Sequence, residues 1–152
     1  MHFVAWVVAD DEEQLARIMA PYEENLTDGP NMGYCSCKDE SGAKPCNGDD
    51  FCRVNKMGKW DWYVIGGRWD KWRAGSRFKA GDDLVPYPSR HSVYTTPYTF
   101  VTGEMWVERE VYKPQNPPES QFEDVPDWDG KVRAWLSQLR PEQNVYIVDY
   151  HR

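Results

Sequence analysis

The sequence predicts an α+β fold, a ferredoxin-like sandwich in which an antiparallel sheet carries two helices on one face. Three observations lead there. The chain opens on a strand-like apolar run followed at once by a helical pattern, "HFVAWVVADDEEQLARIMAPY" (2–22). It ends on a helical pattern followed by a strand, "DWDGKVRAWLSQLRPEQNVYIVDYHR" (127–152). Further strand-like stretches lie between, and two β-α units with right-handed crossovers around them match the β-α-β-β-α-β order of that sandwich.

Taken in order, residues 2–8 are apolar on both alternating faces, the pattern of a central strand. Asp10 is the expected N-cap of the first helix, with Glu13 three residues on in a capping box and acids filling the first turn. Leu15, Ile18 and Met19 form one short apolar stripe, and Pro21 stops the helix. Residues 25–58 are polar, rich in Gly, Asn and Asp, and hold all four cysteines; they read as an insertion loop within a single domain over 1–152. "WDWYVI" (60–65) is a second strand, broken by Gly66-Gly67. Residues 73–99 are dominated by turn formers, and short strands or a Tyr/Pro-rich loop both remain open.

"FVTGEMWVEREVY" (100–112) alternates Met105, Val107 and Arg109 against Trp106, Glu108 and Glu110, as in a strand with one wetter face. The Pro-rich stretch 113–127 has no period and reads as an extended connection. Val132, Trp135, Leu136 and Leu139 fall at helical spacing, and "NVYIVDYHR" is the last strand. The sheet face away from the helices is expected to be open, or covered by the insertion and by residues 73–99.

A chain of 152 residues is long enough to bury a core without staples, and 14% aromatic content makes that core ring-rich. A formal charge of -7 and a pI near 4.9 argue against general nucleic-acid binding, which needs clustered Lys and Arg. They suit docking on a basic partner instead. "MHFVAWVVADDEE" has no basic n-region, and its apolar run is too short to span a bilayer, so a cytoplasmic protein without membrane contact is expected. In that compartment cysteines are more often metal ligands or free than paired.

Cys35, Cys37, Cys46 and Cys52 are spaced C-x-C-x8-C-x5-C. Four thiolates can close a tetrahedral site for structural zinc, with no open position for a catalytic water. Two disulfides or four free thiols are the alternatives.

The densest feature is "KWDWYVIGGRWDKW" (59–72), with four tryptophans around Gly-Gly-Arg. Strand alternation sends Trp60, Trp62 and Val64 one way and Asp61, Tyr63 and Ile65 the other. Gly66-Gly67 permits a bulge or positive-φ bend that re-aims Arg68 and Trp69. On the packing reading, Arg68 stacks on an indole or pairs with a carboxylate. On the binding reading, the amides of Gly66 and Gly67 and the Arg68 fork receive an anionic or planar ligand among Trp60, Trp62 and Trp69.

In the last strand Val145, Ile147, Asp149 and His151 share a face, making Asp149 and His151 candidates for an acid/base pair or a weak metal site. A solvated strand end is the plainer reading of His151. His91 and His2 lack any catalytic context and are expected to be ordinary polar residues.

At "KWDWYVIGGRW", "MAPYEENL" (19–26), the Cys-containing insertion and "VYIVDYHR" (145–152), the chain resembles a group of small, poorly characterised proteins of actinobacterial phages and bacterial genomes. The resemblance implies a phage or prophage origin and supplies no activity. The chain departs from the group in its cysteine spacing, which is less regular than C-x-x-C, and in Tyr150, where a cysteine is common. The resulting expectation is a phage accessory protein acting by binding a host protein or a nucleotide-like ligand in the infected cell's cytoplasm, as in inhibition of host defence. The alternatives are a small hydrolase for a phosphorylated or nucleotide substrate, with Asp149 and His151 catalytic, and a virion component. Because large aromatic patches rarely stay bare, a homodimer is also an expectation.

Overall fold

A computed structural model describes residues 1–34, 53–70, 76–84, 87–88, 93–94, 96–113, 115, 117 and 120–152. In chain order the elements are β1 (His2–Val8), α1 (Glu12–Met19), β2 (Met32–Tyr34), β3 (Arg53–Asn55), β4 (Trp62–Ile65), β5 (Arg77–Lys79), β6 (Tyr87–Pro88), β7 (Val93–Tyr94), β8 (Thr99–Thr102), β9 (Met105–Glu108), β10 (Glu110–Tyr112), β11 (Phe122–Asp124), α2 (Trp128–Gln138) and β12 (Asn144–His151).

β1 is central, as its two apolar faces require. It pairs antiparallel with β12 along its whole length and parallel with β8. β8 turns at Gly103 (φ +55°) into the outer strand β9. Beyond β12, two short strands share one edge: β5 lies along its first half and β4 along its second, both antiparallel. The sheet order is therefore β4-β12-β1-β8-β9, mainly antiparallel, and the α+β class holds.

The ferredoxin-like arrangement with both helices on one face does not. Ala5, Val7, Tyr146, Val148 and Tyr150 pack with Leu15 and Met19 of α1. Trp6, Val8, Val145 and Ile147 pack with Trp128, Val132, Trp135 and Leu136 of α2. Successive residues of β1 and β12 alternate between the two groups, so the helices cover opposite faces. The physical reason was present in β1: a strand apolar on both sides must be covered on both sides, and one helix covers each.

α1 is capped by Asp11 rather than Asp10. The Asp11 side chain accepts from Gln14 N–H at 2.7 Å, while the Gln14 side chain reaches back to the N–H of Asp10. The capping-box logic is right and its frame is one residue later.

The stretch 100–112 is not one strand. Gly103 folds it into the β8-β9 hairpin, and β10 then leaves to pair with β11, inside the stretch expected to be a plain connection. Segment 25–58 is an insertion with a paired stem. β2 and β3 form a two-stranded ribbon, and Asn55 Nδ2 donates to the carbonyls of Pro21 and Glu23 at its neck. The four cysteines between those strands lie outside the described residues, and so does the zinc expectation that rests on them.

Candidate functional site

Among the described residues, α2 covers one face of the sheet over only part of its length. β1 residues His2, Val4, Trp6 and Val8 share this face with Val145, Ile147, Asp149 and His151 of β12 and with Trp62 and Val64 of β4, as the register dictates: His2 opposite His151, Val4 and Val64 opposite Asp149, Trp62 opposite His151. Where α2 packs, the residues are apolar. Past the end of α2 they become His2, Asp149, His151 and Trp62. Trp62 and Val64 are 41% and 44% exposed there, the state of residues on a shelf rather than in a core.

Gly66-Gly67 shapes the rim of this shelf. Both glycines have positive φ, +76° and +54°, and the chain then makes one 3₁₀ turn over Gly67–Trp69. That turn folds back onto β12. A Cβ on Gly67 would fall 2.6 Å from Cβ of Asp149, so glycine is required for the approach. The approach brings the Arg68 N–H to Asp149 Oδ2 at 3.2 Å and the Arg68 Nε to the same oxygen at 3.5 Å.

Asp149, only 3% exposed, is thereby kept hydrogen-bonded. Its other oxygen, Oδ1, lies 3.0 Å from Nδ1 of His2. A carboxylate can only accept, so Nδ1 of His2 carries a proton in this contact, and Nε2, across the ring, meets no hydrogen-bond partner among the described residues. Arg68 faces a carboxylate, as the packing reading expected, while its side chain remains half exposed.

His151 repeats the device nearby. Its Nδ1 is 3.0 and 3.1 Å from the two oxygens of Asp61, and its Nε2 is 2.8 Å from the amino nitrogen of Met1. Desolvation pushes the Asp61 carboxyl up, but the hydrogen bond and charge of His151, with backbone N–H donors, outweigh it and hold the group below the usual aspartate value. The two imidazoles meet edge-to-face with centroids 5.3 Å apart. Trp62 lies parallel to His151, 5.9 Å between centroids, and edge-on to His2 at 5.1 Å.

The chemistry of the shelf is thus two imidazoles, each backed by an aspartate, one guanidinium, and an indole. Asp149 and His151, expected as partners of each other, are neighbours on one face but belong to separate pairs. His2 and Asp61 were missed, because only the register of β1 and β4 against β12 brings them in. The early tight bend at Gly66-Gly67 was the legible signal.

The tryptophans divide. Trp60 is buried against α1 on the opposite side of the sheet, its Nε1–H donating to the Met19 carbonyl at 3.1 Å and its ring edge-on to Tyr63 at 4.9 Å. The expected shared face of Trp60 and Trp62 is therefore corrected. Regular alternation starts only at Trp62, because Lys59 and Trp60 bond to the Tyr22 carbonyl and Asp61 to the His151 carbonyl. Trp69 packs among the residues under α2. Trp62 alone of the three is offered to solvent on the shelf.

A cavity of about 800 Å³ lies on the α1 side, lined in part by Ile18, Pro21, Tyr22, Met32 and Met57. Its lining also holds Gln14, Arg17, Asp28, Asn31, Glu104 and Asn55, of which Asn55 is engaged with backbone groups on both its nitrogen and its oxygen. Among the described residues no three His, Cys, Asp or Glu side chains converge as a metal site, and no helix is long and apolar enough to cross a membrane. No protein-family model matches the chain, and no curated protein or solved structure is significantly similar to it.

Proposed function

We propose that the protein acts by binding a small, planar, anionic ligand of nucleotide type on the shelf formed by Trp62, His2, His151 and Arg68. The observation that carries this is the half-exposed Trp62 indole standing beside two imidazoles and a guanidinium on the uncovered end of the α2 face. An indole face receives a planar base by stacking, a contribution of about 1–3 kcal/mol per base. Among the described residues Arg68 keeps donors beyond its Asp149 contact for a phosphate, where a guanidinium is the preferred partner. Together with the resemblance to phage-encoded proteins, this describes an accessory protein that takes up a nucleotide-like ligand of the host cell.

Titration of a nucleoside monophosphate against the protein, followed by tryptophan fluorescence and calorimetry, tests the reading. Trp62→Ala is expected to weaken binding about tenfold or more, from the stacking contribution. Arg68→Ala is expected to weaken it while abolishing the preference for the monophosphate over the nucleoside. Equal affinity in wild type and both variants would overturn the assignment.

A further inference from the structure

We infer that the same shelf is an acid–base centre that cleaves a ribonucleotide phosphodiester by attack of the neighbouring 2′-hydroxyl, with His2 as general base and His151 as general acid. This rests on the ligand class proposed above and goes beyond binding.

The arrangement at His2 is what a general base needs. A carboxylate that is itself buried holds Nδ1–H at 3.0 Å, which fixes the tautomer and the ring orientation. Among the described residues Nε2 of His2 has no hydrogen-bond partner, and the side chain is 27% exposed. Asp149 acts through His2 as a positioning residue, and its second oxygen sets Arg68 beside the pair. The second imidazole, 5.3 Å away between centroids, is oriented in the same way by Asp61. Two imidazoles so oriented set two proton-transfer groups side by side on one face.

The substrate class follows from what the shelf lacks and what it holds. Of His2, Asp61, Trp62, Arg68, Asp149 and His151, none carries a hydroxyl or thiol, so the nucleophile is water or a hydroxyl of the substrate. A ribonucleotide diester carries one next to its phosphorus. The charge of -7 opposes a long polyanion, which points to a dinucleotide-sized substrate rather than extended RNA.

In the step itself, Nε2 of His2 takes the 2′-hydroxyl proton, and the 2′-oxygen uses the released electron pair to bond to phosphorus. The bond from phosphorus to the 5′-oxygen breaks. That oxygen takes a proton from Nε2 of His151, which accepts from the Met1 ammonium in the structure and serves as the acid once the substrate has displaced that ammonium and the ring is protonated. The products are a 2′,3′-cyclic phosphate and a free 5′-hydroxyl, and proton exchange with water returns both imidazoles to their starting states. Arg68 holds the non-bridging oxygens, where negative charge builds.

The test uses uridylyl-(3′→5′)-adenosine and its 2′-deoxyuridine analogue, with products separated by chromatography. Wild-type protein is expected to release uridine 2′,3′-cyclic phosphate and adenosine from the first and nothing from the second. His2→Asn and His151→Asn, prepared identically, should each lower kcat by about 100-fold or more. A bell-shaped pH profile for wild type should lose one limb in each variant, with Asp149, Asp61, Arg68 and the Met1 amino group being the charged neighbours common to all three proteins. If His2→Asn fails to give the wild-type circular dichroism spectrum, His2→Gln serves in its place. Cleavage at the wild-type rate in the His2 variant overturns the inference. So does binding of the deoxy analogue by wild type without cleavage of the ribo form, which leaves the binding function standing. Absence of binding to either dinucleotide also overturns the inference, and the nucleoside monophosphate titration then decides by itself whether the binding function stands.

Discussion

Gly67 and Asp149 depend on each other. The positive φ of Gly67 lets the chain turn back over β12, and the missing side chain lets it come within van der Waals range of the carboxylate it caps. Gly67→Ala is expected to destabilise the protein by at least about 2 kcal/mol, combining left-handed strain with a clash against Asp149. Gly103→Ala is the control: its φ is +55°, but nothing lies within 4 Å of the added methyl, so only the strain of about 1 kcal/mol applies. Urea titration of the two variants separates these terms, and equal losses would mean that the close approach to Asp149 costs nothing to violate. Asp61 gives a second expectation. Its carboxyl is held below the usual value in the folded chain, so its contribution is complete above the ordinary carboxylate range of about 4 and is lost as pH falls through the lowered folded value. His151→Asn removes the main depressing partner. Below about pH 4 the thermal midpoint of that variant should fall less steeply with acid than that of wild type, and parallel slopes would contradict the pairing. The bend at Gly66-Gly67 was readable in the sequence because two adjacent glycines after a strand have few other uses. That Arg68 meets Asp149, eighty-one positions along the chain, was not, since a local motif holds no information about which strand lies beneath it.

The elements show where periodicity speaks and where it stops. β1, α1, α2 and β12 were legible because their apolar positions repeat with a clear period, and α1 missed only its capping frame by one residue. β4 was misread at its start because alternation was extended back through Trp60, whereas the segment before Trp62 follows bonds to Tyr22 and His151 instead of a strand ladder. The consequence is a large difference between two nearby tryptophans. Trp60 is 7% exposed in the α1-side core, and Trp60→Ala should cost about 3–5 kcal/mol. Trp62 is 41% exposed, and Trp62→Ala should cost under about 1 kcal/mol while removing the proposed stacking surface. Chemical denaturation checks both, and comparable losses would place the two rings on the same face after all. β10 was read as the end of one longer strand, whereas β11 escaped because a short strand beside prolines carries too few alternating positions to register, and Phe122, Glu123 and Asp124 are all exposed.

For the whole molecule, the decisive feature is a two-faced sheet with one cluster under each helix. β1 and β12 contribute alternate residues to both clusters, so their backbones belong to two cores at once. That coupling is why the α2-side shelf can present polar groups without loss of order: its strands are held from the other face by Val148, Tyr150 and Ala5, each fully buried. It also makes a prediction about cooperativity. Leu15→Ala empties part of the α1 side and should cost about 2–5 kcal/mol, and Val132→Ala empties part of the α2 side at about 2 kcal/mol. If the shared strands bind the clusters into one unit, either variant lowers a single urea midpoint, seen at the same denaturant concentration by far-ultraviolet circular dichroism and by tryptophan fluorescence, with the slope unchanged. The rings on the α2 side, Trp128 and Trp135, would then report the loss of Leu15 on the opposite face. A biphasic transition, with one cluster surviving the other, would show instead that the helices melt from a sheet that stands alone, and the shelf would have to be held by its own ion pairs.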